Sequence, residues 1–367
     1  MHLAAERNHT EIINLLLTNP KIQIGENVFR NCRSIENISI PPTVTEIGDN
    51  AFRGCSLLKQ VSIFYSVIKI GNNAFYECIS LNQISIPFSV VEIGCNAFYG
   101  CTSLEKLSIP SSVTKIGENA FSKCTSLVQI SISSSVALIE KGLFFNCTSL
   151  TKISIPSSIV ELGDYCFYGC SLLTKILIPS SVKKIGGYAF YGCISLVQIS
   201  IPSSVIEIGE WSFYHCTSLT QISIPSSVTI IGDNAFSECT SLTQILIPNS
   251  VKYIGAYIFY KCSSLTQISI PSSINSINNW SFYKCALLTK INLPNSLTLI
   301  KKSAFSQCSS LFEIIIPSSV KLIEELAFSG CSKLEKIVID PYLTKYELNS
   351  FENCPLLHHF EFSSSVE

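Results

Sequence analysis

The sequence is poor in charged residues. Only 14% of its 367 residues are charged, and 25 basic residues are balanced by 26 acidic ones. Because nucleic-acid binding needs a basic surface, this balance argues against DNA and RNA as partners. Although 47% of the residues are hydrophobic, polar residues interrupt every apolar stretch before the ~18 residues that a transmembrane helix needs. We therefore expect no transmembrane segment.

The sequence also lacks the patterns of catalysis and cofactor binding. It contains no C-x-x-C or H-E-x-x-H spacing, and its glycines recur at a regular interval rather than in a phosphate-binding loop. His215 stands beside Cys216, but that cysteine belongs to a repeated row that we interpret as structural. We therefore expect a protein that is not an enzyme, with no catalytic residue, metal ion, cofactor or small-molecule substrate.

A unit of 23 residues recurs along the chain. Fifteen cysteines follow one another at this spacing, from Cys32 to Cys354, and a phenylalanine stands three residues before each of them. A unit this short cannot bury its own apolar residues, so the units must stack on one another. The spacing predicts a β-rich solenoid of about fifteen repeats over residues 20–367.

The segment 217–239 illustrates one repeat. Gln221 to Ile224 alternate polar and apolar residues, which predicts a half-buried strand, and Pro225 ends it. Gly232 permits a tight turn, and Asn234 suits the N-cap of a short helical turn. The predicted coil therefore has a strand of a parallel sheet on one face and a short 3₁₀ or helical turn, or a short strand, on the other.

The repeat cysteines are interpreted as a row of buried, reduced thiols. Equivalent side chains of stacked coils point the same way rather than at each other, and fifteen cysteines cannot all pair. Cys166 occupies a position that is usually alanine and is expected to be buried as well. Cys95 occupies a position where other repeats carry acidic residues, and it is the candidate for an exposed thiol.

The repeated pattern L-x-x-I-x-I-P-x-S-V-x-x-I-G-x-N-A-F-x-x-C resembles the BspA-type leucine-rich repeat. The resemblance covers the chain from near Ile22 to its C-terminus. It implies a right-handed leucine-rich-repeat superhelix that binds proteins, in a family that includes surface adhesins of bacteria and protists. It carries over no catalytic residue.

The first nineteen residues resemble a different repeat. His2-Leu3-Ala4-Ala5, followed by His9-Thr10-Glu11-Ile12, is similar to the helical part of an ankyrin repeat. This resemblance implies a partial ankyrin-like segment over residues 1–19, either as a cap on the first coil or as the end of a longer array. The same residues lack the continuous apolar core of a secretion signal, which favours a cytoplasmic location over the alternative, the cell surface.

The exposed face of the strands is the first candidate for protein binding. Its main row is polar, with serines beside most of its members. The alternative interpretation is a solvated ladder whose amides bond to one another along the stack. The glutamines proposed to contact a partner are Gln198, Gln221, Gln244 and Gln267.

A second candidate surface is aromatic. The positions five and two residues before the repeat cysteine become aromatic together in the middle of the chain, and the pairs should align from coil to coil. The alternative is an aromatic ladder that covers the core edge and replaces the asparagine cap. This aromatic stripe has a gap at Asn234 and Ser237, and its members are Tyr165 with Tyr168, Tyr188 with Tyr191, Trp211 with Tyr214, Tyr257 with Tyr260, and Trp280 with Tyr283.

These patterns predict a non-enzymatic protein-binding scaffold that uses the exposed strand face, the aromatic stripe, or both. A cell-surface adhesin that binds host or matrix proteins is the alternative. An enzymatic role would require domains outside this chain.

Overall fold

A computed structural model describes Asn19 and residues 22–340 and 344–362. Two compact units make up the chain, Met1–Val182 and Lys183–Glu367. The ankyrin-like segment predicted for residues 1–19 lies outside the described residues, apart from Asn19. Among the described residues, none belongs to a helix long and apolar enough to cross a membrane.

Both units are parallel β-solenoids in which each 23-residue repeat forms one coil. A coil contributes a strand that is usually the longer one, of three or four residues except in β5, to one face and a two-residue strand to another. In the first unit the strands are β1 (Asn37–Ser39), β2 (Glu46–Ile47), β3 (Gln60–Ser62), β4 (Lys69–Ile70), β5 (Gln83–Ile84), β6 (Glu92–Ile93), β7 (Lys106–Ser108), β8 (Lys115–Ile116), β9 (Gln129–Ser131), β10 (Leu138–Ile139), β11 (Lys152–Ser154), β12 (Glu161–Leu162) and β13 (Lys175–Leu177).

The second unit continues the same alternation of longer and shorter strands. Its strands are β14 (Lys184–Ile185), β15 (Gln198–Ser200), β16 (Glu207–Ile208), β17 (Gln221–Ser223), β18 (Ile230–Ile231), β19 (Gln244–Leu246), β20 (Tyr253–Ile254), β21 (Gln267–Ser269), β22 (Ser276–Ile277), β23 (Lys290–Asn292), β24 (Leu299–Ile300), β25 (Glu313–Ile315), β26 (Leu322–Ile323), β27 (Lys336–Ile339), β28 (Lys345–Tyr346) and β29 (His359–Phe362).

Strands of equal position pair in parallel from coil to coil. In the first unit the longer strands form the sheets β1-β3-β5 and β7-β9-β11, and in the second they form β15-β17-β19-β21-β23 and β25-β27-β29. The register is a shift of one whole repeat, so that Gln221 lies opposite Gln244 and Ile222 opposite Ile245. Each slot of the repeat therefore becomes a row of like side chains along the stack.

The predicted alternation along the longer strand is confirmed. In β17, Gln221 and Ser223 are exposed, whereas Ile222 between them is buried. Pro225 follows the strand and accepts a hydrogen bond at its carbonyl from the amide of Val228, which turns the chain back to the core. The same repeat pattern produces the same half-buried strand in coil after coil.

The other face is built from two-residue strands and turns, and no helical segment occurs there among the described residues. The N-cap interpretation of asparagine is therefore wrong. Asn50 and Asn73 adopt left-handed backbone conformations, with φ of 55° and 53°. Asparagine and glycine tolerate this conformation better than other residues do, which explains why asparagine recurs in the slot.

Left-handed residues let the turn bond to the next coil. Asn50 and Phe52 donate their backbone N–H groups to carbonyls of the following coil, whereas Arg53 and Cys55 donate theirs three residues back, to Asn50 and Phe52. The N–H groups therefore alternate along the chain between hydrogen bonds within the turn and hydrogen bonds to the next coil. Stacking of coils, rather than a helix, stabilises this face.

The core is organised around the repeat phenylalanines and cysteines. From Phe29 to Phe167 in the first unit, and from Phe190 to Phe351 in the second, each ring stacks on the next at centroid distances of 5.1 to 5.9 Å. Cys239 donates its thiol hydrogen to the Phe213 carbonyl at 3.1 Å, and other repeat cysteines do the same. These thiols face carbonyls of the preceding coil and serve as small core residues.

Candidate protein-binding surfaces

A groove follows the exposed face of β15, β17, β19, β21 and β23 in the second unit. We call it the sheet groove. It encloses about 620 Å³ and extends from Gln198 to Asn292. Five strands at ~4.8 Å give it a length of about 19 Å. The parallel register places one glutamine or lysine of each strand on its floor.

The glutamines of the sheet groove do not bond to one another. No hydrogen bond involves the side-chain amides of Gln198, Gln221, Gln244 or Gln267 within the described part of the chain, and all four residues are exposed. The four amides therefore form no self-bonded ladder among the described residues, and a solvated row and a binding surface both stay predictions. Each amide presents two donors and an acceptor to whatever enters the groove.

Leu246 interrupts the polar floor of the sheet groove. The neighbouring strands β15, β17 and β21 place Ser200, Ser223 and Ser269 at this slot, but Leu246 projects outward and is 70% exposed. Protein–protein interfaces combine an apolar centre with a polar rim, and an exposed leucine among amides fits that arrangement. Leu246 was not among the predicted binding residues, although its departure from the serine row is visible in the sequence.

The aromatic stripe forms a ladder in the second unit. The Tyr188 and Trp211 rings stack at 5.8 Å with an interplanar angle of 6°, and the Tyr257 and Trp280 rings stack at 6.2 Å and 2°. In the slot beside them, Tyr191 stacks on Tyr214 at 4.7 Å, and Tyr260 on Tyr283 at 5.1 Å. The predicted alignment from coil to coil is confirmed within this unit.

The first unit contributes its own part of the stripe. Tyr165 and Tyr168 lie 6.1 Å apart with tilted rings, and Tyr168 stacks on Phe145 at 4.6 Å. Phe145 extends the ladder by one coil that the sequence analysis did not include.

The aromatic residues five positions before the cysteine have an unusual backbone. Tyr188, Trp211, Tyr257 and Trp280 have φ values of 55° to 57°, in the left-handed slot that asparagine occupies elsewhere. Bulky residues rarely adopt this conformation, which costs about 1–2 kcal/mol per residue. The turn itself does not require these rings, because asparagine forms the same turn in other coils.

A half-buried acidic group lies beside the stripe. Glu238 accepts hydrogen bonds from the Lys261 ammonium at 2.9 Å and from His215 Nδ1 at 3.1 Å. Burial and the charge of Glu238 raise the pKa of Tyr214 to about 12. Burial alone would raise the pKa of Glu238, but hydrogen bonds from Lys261, His215 and Tyr214 outweigh it and lower that pKa. His215, Glu238 and Lys261 follow one another at intervals of one repeat, so their alignment could have been predicted from the sequence.

The Glu238→Gln variant is expected to unfold at a lower temperature than the natural chain at pH 7. The stability contributed by a carboxyl with a lowered pKa is present above its unfolded value of about 4.3 and is lost as the pH falls through the folded value. The difference between variant and natural chain should therefore shrink below about pH 4. Thermal unfolding from pH 3 to pH 8 measures this, with the exposed Glu335→Gln as control, and a constant difference would contradict it.

Comparison with known proteins identifies the family. The sequence profile described as "BspA type Leucine rich repeat region (6 copies)" matches residues 7–87, 56–173, 161–288 and 252–367. These matches cover nearly the whole sequence, and the chain belongs to the BspA-type leucine-rich-repeat family. No curated protein sequence matches it closely enough to add a relative.

Solved structures support the same fold. A leucine-rich repeat protein from Bacteroides ovatus ATCC 8483 is 33% identical, with 92% of this chain and 81% of that chain covered and a TM-score of 0.72. A leucine rich cell surface protein from Faecalibacterium prausnitzii A2-165 is 29% identical over 94% and 83%, with a TM-score of 0.50. A leucine-rich repeat protein from Eubacterium ventriosum ATCC 27560 is 28% identical over 84% and 80%, with a TM-score of 0.52.

The family and fold define a class of function. Solenoids of this kind are typically protein-interaction scaffolds, and the BspA-type proteins are non-catalytic repeat proteins. Proteins of the family are often found at the cell surface.

Proposed function

We propose that this chain is a non-enzymatic scaffold that binds a protein partner through the sheet groove of its second unit. The observation that carries the proposal is the row of unpaired, exposed amides at Gln198, Gln221, Gln244 and Gln267, with Leu246 among them. A partner strand or loop laid along this row satisfies several amides at once and covers the leucine. The near balance of charge favours a protein over a nucleic acid.

The aromatic stripe is the second part of the proposed binding surface. Its members five residues before the cysteine occupy a strained slot that asparagine fills in other coils, and strained positions concentrate at functional sites. Ring stacking also contributes to stability, so both interpretations of the stripe apply to the same residues. Gln221 and Trp211 belong to different faces of the coil, and binding through each can be tested separately.

The double variant Gln221→Glu, Gln244→Glu is expected to lose at least tenfold in affinity for the partner. Two like charges replace neutral amides at the centre of the groove, where a partner fitted to amides leaves them unpaired. The measurement is retention of proteins from a cell extract on immobilised chain, followed by titration of the retained partner.

A matched control changes the charge equally on another face. The variant Thr229→Glu, Asn275→Glu also adds two negative charges, at exposed positions that precede the short strands β18 and β22. It should retain the partner like the natural chain. Equal loss in both variants, or no loss in the groove variant, would refute the groove as the binding surface.

A surface adhesin is the second candidate function. It is favoured by the resemblance to the Faecalibacterium protein, whose description is a leucine rich cell surface protein. We favour a cytoplasmic location, because the row of reduced thiols that we propose suits a reducing compartment. Antibody labelling of intact and permeabilised cells separates the two locations, and a signal on intact cells would remove the cytoplasmic scaffold.

A further inference from the structure

The aromatic ladder of the second unit has one missing ring. Tyr188 and Trp211 stack on one side of it, Tyr257 and Trp280 stack on the other, and the coil between them carries Asn234. We call the space between Trp211 and Tyr257, above Asn234, the notch. Ser237 leaves the neighbouring slot of the same coil without a ring.

The backbone fixes the width of the notch. Trp211 donates its N–H to the Asp233 carbonyl at 2.8 Å, and Asn234 donates its own to Ala256 at 2.9 Å, so the register is continuous through the gap. Trp211 and Tyr257 are two coils apart, or about 9.6 Å at ~4.8 Å per coil. This separation leaves room for one flat group between two ring faces.

The floor of the notch is closed. Asn234 is 8% exposed, whereas asparagines of the same slot in the first unit, such as Asn50 and Asn73, are half-buried. Tyr257, by contrast, is 36% exposed and Trp211 is half-buried. A ligand would therefore lie between the outer parts of the two rings, above the asparagine.

One rim of the notch is acidic. Glu210 precedes Trp211 and is exposed, and Asp233 precedes Asn234. The Asp233 carboxylate is held in place by the Ala256 N–H at 2.9 Å and the Tyr253 hydroxyl at 3.3 Å. The same slot in the neighbouring coils holds glycine, alanine and asparagine, so no basic residue offsets these two carboxylates there.

Tyrosine rings in the neighbouring slot, two residues before the repeat cysteine, already have cations on their faces. The Lys261 ammonium lies 5.0 Å from the centroid of the Tyr260 ring, and the Lys284 ammonium lies 5.3 Å from that of Tyr283. Cations are attracted to the faces of Trp and Tyr rings, and more strongly where water is excluded. Two ring faces beside two carboxylates therefore favour a positively charged group.

We propose that the notch binds the guanidinium group of an arginine on the protein partner, which takes the place of the missing ring. A guanidinium is flat, stacks on aromatic faces and keeps its charge, whereas an ammonium group offers no flat face. Glu210 and Asp233, which precede Trp211 and Asn234 in the chain, would supply the negative charge that balances it. This inference rests on the proposed protein-binding function and specifies the chemistry of the partner at the aromatic stripe.

The probe is the peptide acetyl-Gly-Arg-Gly-amide, and the matched control replaces arginine by citrulline, which has nearly the same shape and no charge. The chain has two tryptophans, so the Trp280→Phe variant leaves Trp211 as the sole tryptophan, whose emission is separated from that of the tyrosines by selective excitation. We expect saturable quenching of Trp211 by the arginine peptide, at least tenfold tighter than by the citrulline peptide. Equal binding of the two peptides would overturn the proposal.

Two further variants test the geometry in the Trp280→Phe background. Asn234→Tyr supplies the missing ring and should abolish peptide binding, whereas Asn119→Tyr, in the equivalent slot of the first unit, should leave it unchanged. Glu210→Gln removes an exposed rim charge and should weaken binding at least threefold, which tests the proposal even if Asn234→Tyr disturbs folding. Unchanged binding in both Asn234→Tyr and Glu210→Gln would refute the notch.

The outcome is independent of the sheet groove. The groove variant Gln221→Glu, Gln244→Glu should bind the arginine peptide like the natural chain, and Asn234→Tyr leaves the groove amides unchanged. Failure of the peptide test with success of the groove test would remove the notch alone. If the groove test fails and the peptide test succeeds, the aromatic stripe and not the sheet groove is the binding surface.

Discussion

Replacing Phe236 by alanine is expected to lower the free energy of unfolding of the second unit by about 3–5 kcal/mol. The side chain is fully buried, and its ring stacks on Phe213 at 5.5 Å and on Phe259 at 5.9 Å. The substitution removes both stacked contacts and leaves a cavity between coils that the rigid backbone register cannot close. Because each coil contacts only its neighbours, the loss weakens two coil interfaces at once.

Urea denaturation followed by circular dichroism measures this loss. Phe312→Ala is the control, since Phe312 is of the same residue type but is 52% exposed, and it should change the stability by less than about 1 kcal/mol. Similar effects of the two substitutions would contradict the stacked phenylalanine core.

The second large effect is the protection of the thiols. In the native protein, Cys95 is expected to react with a thiol reagent at least about 10³-fold faster than the buried repeat cysteines, which become accessible only on unfolding. Burial also raises the pKa of Cys124 and Cys239 to about 12, so their reactive thiolate forms are scarce at neutral pH. Cys354, which is half-buried, should react at an intermediate rate.

Counting thiols with and without denaturant, in the absence of reductant, tests this. Denatured protein should show all seventeen thiols, and the fast native phase should disappear in the Cys95→Ser variant. A denatured count far below seventeen would overturn the reduced row. A fast phase that persists in the variant would show that another cysteine is accessible.

The strands and the core could be predicted from the sequence because the residues that form them recur at constant spacings. Alternation of polar and apolar residues at Gln221 to Ile224 places one face outward, and a constant spacing of 23 places equal residues above one another. The burial of Cys166 and the exposure of Cys95 followed from the same alignment of repeats.

The turn could not be predicted because its key residue is ambiguous. Asparagine at Asn50 suits both a helix N-cap and a left-handed turn, and only the stacking of coils decides between them. A further signal was present immediately before the repeat cysteine, where Gly54 and Gly100 share one slot with Asn31 and Asn146. Glycine and asparagine in one slot are typical of left-handed backbone.

The candidate surfaces were predicted only in part. The glutamine row and the aromatic pairs were visible as recurring slots, but the absence of amide bonding and the cluster around Glu238 depend on side-chain directions that periodicity does not specify. Likewise, the missing ring at Asn234 was visible as a gap, whereas its width and acidic rim required the backbone register and the positions of Glu210 and Asp233.

The uniform register has an evolutionary consequence. Because residue i of one coil meets residue i plus 23 of the next throughout β15 to β19, duplication or loss of one complete 23-residue segment joins surfaces that already fit each other. An insertion or deletion of any other length would shift all following residues out of register with the coils before it. Recombination between repeats can therefore lengthen or shorten this protein in whole steps, and selection can adjust its reach without inventing a new contact.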